Sequence, residues 1–247
     1  MEQQNYQYND SPSYVQQGAV SKRFFGNVFL WMFVALALSS LTAYFLFENQ
    51  SLVQQYLIKE TGGFSILGYI AIFAPLGLVF LMGGAMRKLS FPALAGIFIL
   101  YSILTGVMLS FILLIYTATS IAICFVAACA IFGVMAVMGY TTNVDLSKFG
   151  PILMAGVIGL VIVSVVNMFL QSDSLGYILG FIGVAIFTAL TAFKVQEIKR
   201  IGQGLDEEGN TISTEDSNKL ALMGALSLYI TFINLFLSLL RVFGDRR

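Results

Sequence analysis

The stretch that decides the fold runs from Phe91 to Tyr140: FPALAGIFIL YSILTGVMLS FILLIYTATS IAICFVAACA IFGVMAVMGY. It contains no Asp, Glu, Lys or Arg. A helix needs about 20 mostly apolar residues to cross the hydrocarbon of a bilayer. This stretch therefore holds two crossings, Phe91–Tyr116 and Ser120–Tyr140, with only a few residues between them. The same criterion finds five more along the chain: Phe24–Phe47, Phe64–Met86, Phe149–Leu170, Leu175–Phe193 and Leu220–Phe243. The expected class is all-α, a polytopic membrane protein with seven transmembrane helices. Composition agrees. Of 247 residues, 58% are hydrophobic and 11% charged, against roughly 25% charged in a soluble domain.

The breaks between spans are short and chemically legible. Arg87, Lys88, Leu89 and Ser90 separate the second and third spans. Ser90 is placed to cap the next helix, with Pro92 in its first turn. Residues 141–148 separate the fourth and fifth, and Pro151 opens the fifth. Connections this short impose antiparallel neighbours. Residues 1–23 are polar and rich in Gln and Tyr, and read as a disordered tail. The membrane domain is then 24–247. The run from Phe24 is too long for a signal peptide and lacks a small-residue cleavage site, so it is expected to remain as an anchor.

Orientation follows from Lys and Arg placement. With the N-terminus inside, the inner segments hold Lys22, Arg23, Arg87, Lys88, Lys148, Lys194, Lys199, Arg200 and Lys219. The outer segments hold Lys59, Arg241, Arg246 and Arg247, and the two sets account for all 13 basic residues. Nine inside against four outside favours a cytoplasmic N-terminus. The arginines at the end of the chain dissent, and a re-entrant final segment is the alternative. The longest loop, Gly202–Asn218, is acidic and does not match a calcium-binding EF-hand. Glu215 and Asp216 fall in the first turn of the last helix, where the positive dipole end favours carboxylates.

Net charge is zero and there is no His. The charge balance gives no reason to expect nucleic acid as a partner. Without His there is no Ser–His or Cys–His pair and no HExxH zinc signature. No cofactor is implied, and the chain does not read as an enzyme. Cys124 and Cys129 are five apart and read as small buried hydrophobes. None of the 13 acids lies in the middle of a span. Ionisable residues inside the bilayer are costly and usually functional, so their absence excludes an intramembrane aspartyl protease. The remaining polar groups are milder. Lys194 ends the apolar part of the sixth helix, with Glu197 three residues on, so the two face each other or the lysine reaches to the interface. Asn167, Gln171, Thr231 and Asn234 are uncharged polar groups in or near spans, suited to interhelical hydrogen bonds. Pro75 sits mid-span in the second helix and is expected to kink it. Gly176 with Gly180, and Gly156 with Gly159, suggest close helix packing.

Three stretches go further than hydrophobicity. They are FGVMAVMGYTT (132–142) running on to DLSKFG (145–150), FTALTAFKVQEIK (187–199), and ALSLYITFINLF (225–236) with LLRVFG (239–244). Together they resemble the bacterial branch of the Bax inhibitor-1 family, also called the transmembrane Bax inhibitor motif family. The resemblance covers about Phe24 to Gly244. It implies a protein of the bacterial inner membrane, with seven helices and the C-terminal one central. It also implies a pH-sensitive calcium leak, sensed by one aspartate in the sixth helix and one in the last. Two carboxylates that close do not both ionise easily, so one pKa rises toward neutrality.

This chain departs from the pattern at both aspartates. The sixth-helix pattern Ala-Tyr-Asp-Thr-Gln reads Ala192-Phe193-Lys194-Val195-Gln196. The last-helix pattern Tyr-Leu-Asp-Phe reads Tyr229-Ile230-Thr231-Phe232. The sensor-equivalent positions are Lys194 and Thr231, with Asn234 one turn on. Asn167, Glu197 and Pro75 are supporting polar or kink positions. A calcium site here lacks its charged oxygen ligands, so this chain's own residues do not support calcium conductance. Two other readings stay open. One is a non-conducting partner of other membrane proteins, such as a quality-control protease, using the tail and the acidic loop as contacts. The other is a pathway in which Lys194 favours anions.

Overall fold

The computed structural model describes residues 13–59, 63, 65–207 and 213–247, with side chains from residue 21 onward except 205–212. Among them are eight α-helices, and no strand is present. Seven are long and apolar enough to cross a membrane. They are α1 (Ser13–Glu48), α3 (Ile66–Ala85), α4 (Phe91–Ile115), α5 (Ala118–Thr141), α6 (Gly150–Leu170), α7 (Asp173–Glu207) and α8 (Thr214–Phe243). The eighth, α2 (Gln50–Leu52), leads into a π-helical turn, Val53–Leu57.

Local chemistry sets most helix starts. The hydroxyls of Ser65, Thr117 and Ser213 accept hydrogen bonds from the amides of Gly68, Ser120 and Asp216, each satisfying an orphan donor of a first turn. Pro92 and Pro151 occupy the first turns of α4 and α6. Ser90 stands at the cap position of α4, but its side chain makes no cap bond. The Phe91 amide instead donates to Glu215 Oε1 at 3.2 Å, so α8 supplies the cap. Glu215 and Asp216 do sit in the first turn of α8, where Lys219 pairs with both at 3.1 and 3.8 Å.

Three boundaries differ from expectation. Residues 13–23, read above as part of a disordered tail, are helical and continue into the first span. The sixth crossing does not stop at Phe193 but runs on to Glu207. The last begins at Thr214 rather than Leu220, so the acidic loop shrinks to a short connection. The reason is common to all three. Hydropathy marks where a helix leaves the hydrocarbon, not where its hydrogen bonding ends. Residues 1–12 of the tail and 208–212 of the acidic loop lie outside the described residues, as do the side chains of Asp206 and Glu207. Partner contacts assigned to these elements are therefore not described.

α8 packs against α1, α4, α5 and α7, whereas α3 packs chiefly on α4, and α6 chiefly on α7. Fifteen residues of α8 are buried, and α6 fully buries none. Most apolar side chains of α6 are exposed, Ile152, Ile158, Ile162 and Phe169 among them, as suits a helix facing lipid, while Leu153, Val157 and Leu160 pack partly buried against the core. Pro75 is buried within α3, which is helical on both sides of it. Cys124 is buried and Cys129 exposed, and both are free. Cys129 thus departs from the expectation that both are buried, because five residues turn it to the other side of α5.

Small residues bring the helices together. A Cβ at Gly139 of α5 would lie 2.3 Å from the Ala192 carbonyl oxygen of α7. One at Gly106 of α4 would lie 2.6 Å from the Ser39 carbonyl oxygen of α1. Gly180 meets Val242 and Arg241 of α8, as its GxxxG position suggests. Gly159 has nothing within 4 Å, so its motif match marks no contact.

The last helix is continuous over 30 residues, about 45 Å of rise, which is long enough to cross a bilayer. It runs alongside α4 from end to end. Glu215 touches the start of α4, and the Arg247 amide donates to the Ile115 carbonyl at its finish, 2.9 Å.

Candidate functional site

At one end of the bundle, α7 projects past α5 and meets the turn between α5 and α6. Lys194 Nζ donates to Glu197 Oε2 at 2.8 Å and lies 5.1 Å from the Phe193 ring centroid. The lysine is thus satisfied within its own helix. Its carboxylate partner is 46% exposed, which places the ion pair at the edge of the bundle rather than in its interior. Gln196, not Lys194, is the buried polar residue here. Gln196 Oε1 accepts from the Leu146 amide and Nε2 donates to the Val144 carbonyl, both at 2.8 Å. Arg200 Nη1 donates to Ser147 Oγ at 2.8 Å and Nη2 to Asp145 Oδ1. The Ser147 hydroxyl and Arg200 guanidinium hold the Asp145 carboxyl well below the usual carboxylate range.

Thr231 is buried in α8, and its hydroxyl donates to the Ser227 carbonyl at 2.8 Å. The Asn234 amide donates to the Ile230 carbonyl at 2.8 Å. The interhelical bonds expected of these two residues are not among their hydrogen bonds. Each side chain returns its proton to the carbonyl one turn back, the local bond open to short polar side chains in a helix. Around Tyr229 of α8 the interior holds hydroxyls: the Tyr101 ring centroid stands 5.7 Å away, and Ser39, Ser102 and Thr105 are buried. The Tyr229 hydroxyl, also buried, has no hydrogen-bond partner among the described residues. Lys194 and Thr231, paired by the sequence argument, share no hydrogen bond. A cavity of about 450 Å³ between α1, α4 and α5 has almost wholly apolar walls, and neither residue lines it.

Asn167 belongs to the opposite end. Its Oδ1 accepts from the Ser172 amide at 3.1 Å, closing the turn between α6 and α7. Gln171, in that turn, adopts a left-handed φ of 50°. Arg246 Nη1 pairs with Asp173 Oδ1 at 3.0 Å, and the Asp245 amide donates to Ser120 Oγ at 3.0 Å. Sequence reasoning passed over Gln196, Arg241 and Arg246. Gln196 stood inside a quoted motif, and the two arginines were counted only for topology.

A family model described as inhibitor of apoptosis-promoting Bax1 matches residues 21–247. Inner membrane protein YbhL of Escherichia coli K12 is 41% identical over 96% of this chain and 97% of its own length. A protein of Borreliella burgdorferi is 39% identical over 94% and 96%. A membrane protein of Streptococcus pyogenes serotype M6 is 34% identical over 96% and 98%.

Proposed function

Because this chain belongs to the Bax inhibitor-1 family, which is not a known enzyme family, we propose that it is an inner-membrane bundle of the channel-type fold without a pH-gated calcium leak. One observation carries this reading. The two sensor-equivalent positions hold a lysine neutralised by Glu197 on its own helix and a threonine bonded to its own backbone. A proton-sharing gate needs two carboxylates close enough to raise one pKa, and a calcium site needs charged oxygen ligands. Neither position supplies one.

The test is calcium flux into liposomes holding the purified chain, between pH 6 and 8. The expected flux equals that of empty liposomes and is flat with pH. A leak with a midpoint near neutrality overturns the reading. Replacing both residues, Lys194→Asp with Thr231→Asp, is expected to create a cation flux that changes across this range. An unchanged double variant would mean that no ion path passes these positions.

A further inference from the structure

At the end of the bundle away from Lys194, a cavity of about 280 Å³ lies between the turn joining α6 to α7 and the end of α8. Unlike the apolar cavity between α1, α4 and α5, it is lined mainly by polar atoms. Its charged members are Arg241, Arg246 and Asp173. Asp173 is engaged by Arg246, while Arg241 has no ion pair among the described residues. The walls thus carry one positive charge in excess.

The neutral groups also present donors. Asn167 Oδ1 is occupied by the Ser172 amide, which leaves its Nδ2 as a donor. Ser172 Oγ accepts from the Leu175 amide at 3.3 Å, which leaves its hydroxyl proton free to donate. Gly176 contributes to the opening. A Cβ there would stand 3.5 Å from Asn167 Nδ2, so the missing side chain keeps that donor accessible. The first turn of α7 borders the cavity through Ser172, Asp173 and Gly176, adding the positive end of a long helix.

We propose that this cavity is an oxyanion site for a phosphate group, either inorganic phosphate or the phosphodiester of an anionic phospholipid headgroup. Arginine suits such a group because its planar fork donates two parallel hydrogen bonds to two oxygens. Arg241 is the anchor, Arg246 the flanking charge, and Asn167 and Ser172 the neutral donors. The cavity lies at one end of the helices, where the headgroups of a bilayer stand, and the exposed rings of Tyr177, Phe181 and Phe243 on the same two helices, α7 and α8, meet edge to face.

The experiment uses the full chain in neutral detergent. Inorganic phosphate is titrated by calorimetry. In parallel, native mass spectrometry follows retention of phosphatidylglycerol against phosphatidylcholine. Both are repeated with Arg241→Gln and with Asn167→Asp, which sets a carboxylate in the same volume. Phenylglyoxal labelling of Arg241 in the unmodified chain, with and without phosphate and with and without phosphatidylglycerol, needs no variant. Saturable phosphate binding, weakened at least tenfold in both variants and protecting Arg241, supports the site with a free anion as ligand. Selective retention of phosphatidylglycerol, lost in both variants, supports it with a lipid headgroup. Binding of neither, or binding that both variants leave unchanged, overturns the proposal. So does Arg241 labelling that neither ligand slows.

Discussion

Gln196 holds two backbone groups of another segment at once, and its removal should be felt. Gln196→Ala strands the Leu146 amide and the Val144 carbonyl. A buried group left without a partner costs about 1–3 kcal/mol, and the expected result is a lower melting temperature in detergent. Gln196→Glu, which keeps the acceptor and loses the donor, should fall between. Gly139 tests packing in the same way. Gly139→Ala drives a methyl into the backbone of α7 at Ala192, and overpacking costs typically 1–3 kcal/mol. Gly159→Ala has open space around it and serves as the control, with no expected loss. The outcome to refute this is equal melting of the two glycine variants. Neither residue was legible as critical in the sequence. A glutamine in a motif and a glycine among 23 look the same whether or not a neighbour lies against them.

The ends of the helices carry contacts that no single element specifies. The chain end pairs with the start of α5. The Thr117 amide donates to the Asp245 carbonyl at 3.1 Å, and the Arg247 amide donates to that of Ile115 at 2.9 Å. Deleting residues 244–247 should speed hydrogen exchange across residues 115–120, read by mass spectrometry, while exchange at Gln196 and the 144–146 turn stays unchanged. The 142–149 turn makes a separate prediction about pH. Asp145 has its carboxyl pKa depressed by Ser147 and Arg200. A depressed acid stabilises the fold above its unfolded value, about 3.9, and the gain is lost as pH falls through the folded value. Melting curves of the unmodified chain and Asp145→Asn should therefore differ at pH 7 and converge in strong acid. A gap that persists unchanged into acid would mean that the carboxylate charge plays no part. The long polar extension of α7 that carries Arg200 was not visible in hydropathy, because its helix continues where apolar residues stop.

Seven helices long and apolar enough to cross predict that the chain's two termini lie on opposite sides of the membrane. The lysine and arginine count predicts a cytoplasmic position for residues 1–23. Cysteine labelling with a membrane-impermeant maleimide should then modify a cysteine placed near residue 10 only after the cells are opened. Labelling of that position in intact cells would reverse the orientation. The substituted cysteine is best introduced with Cys124→Ala and Cys129→Ala, since Cys129 is exposed. Seven spans and the family were readable from the linear chain. Apolar length and short local motifs are one-dimensional properties, and the bilayer imposes a fixed thickness on the first. Convergence is different. The Phe91 amide meets Glu215 from 124 positions away, and Arg246 meets Asp173 from 73. A membrane helix is apolar on every side, so no amphipathic period announces which face meets a neighbour. The family, the seven apolar stretches and the presence of a lysine at 194 and a threonine at 231 were therefore settled by residue identity. The outward pairing of Lys194 and the gathering of Asn167, Arg241 and Arg246 around one cavity arose only when close helix packing chose the faces.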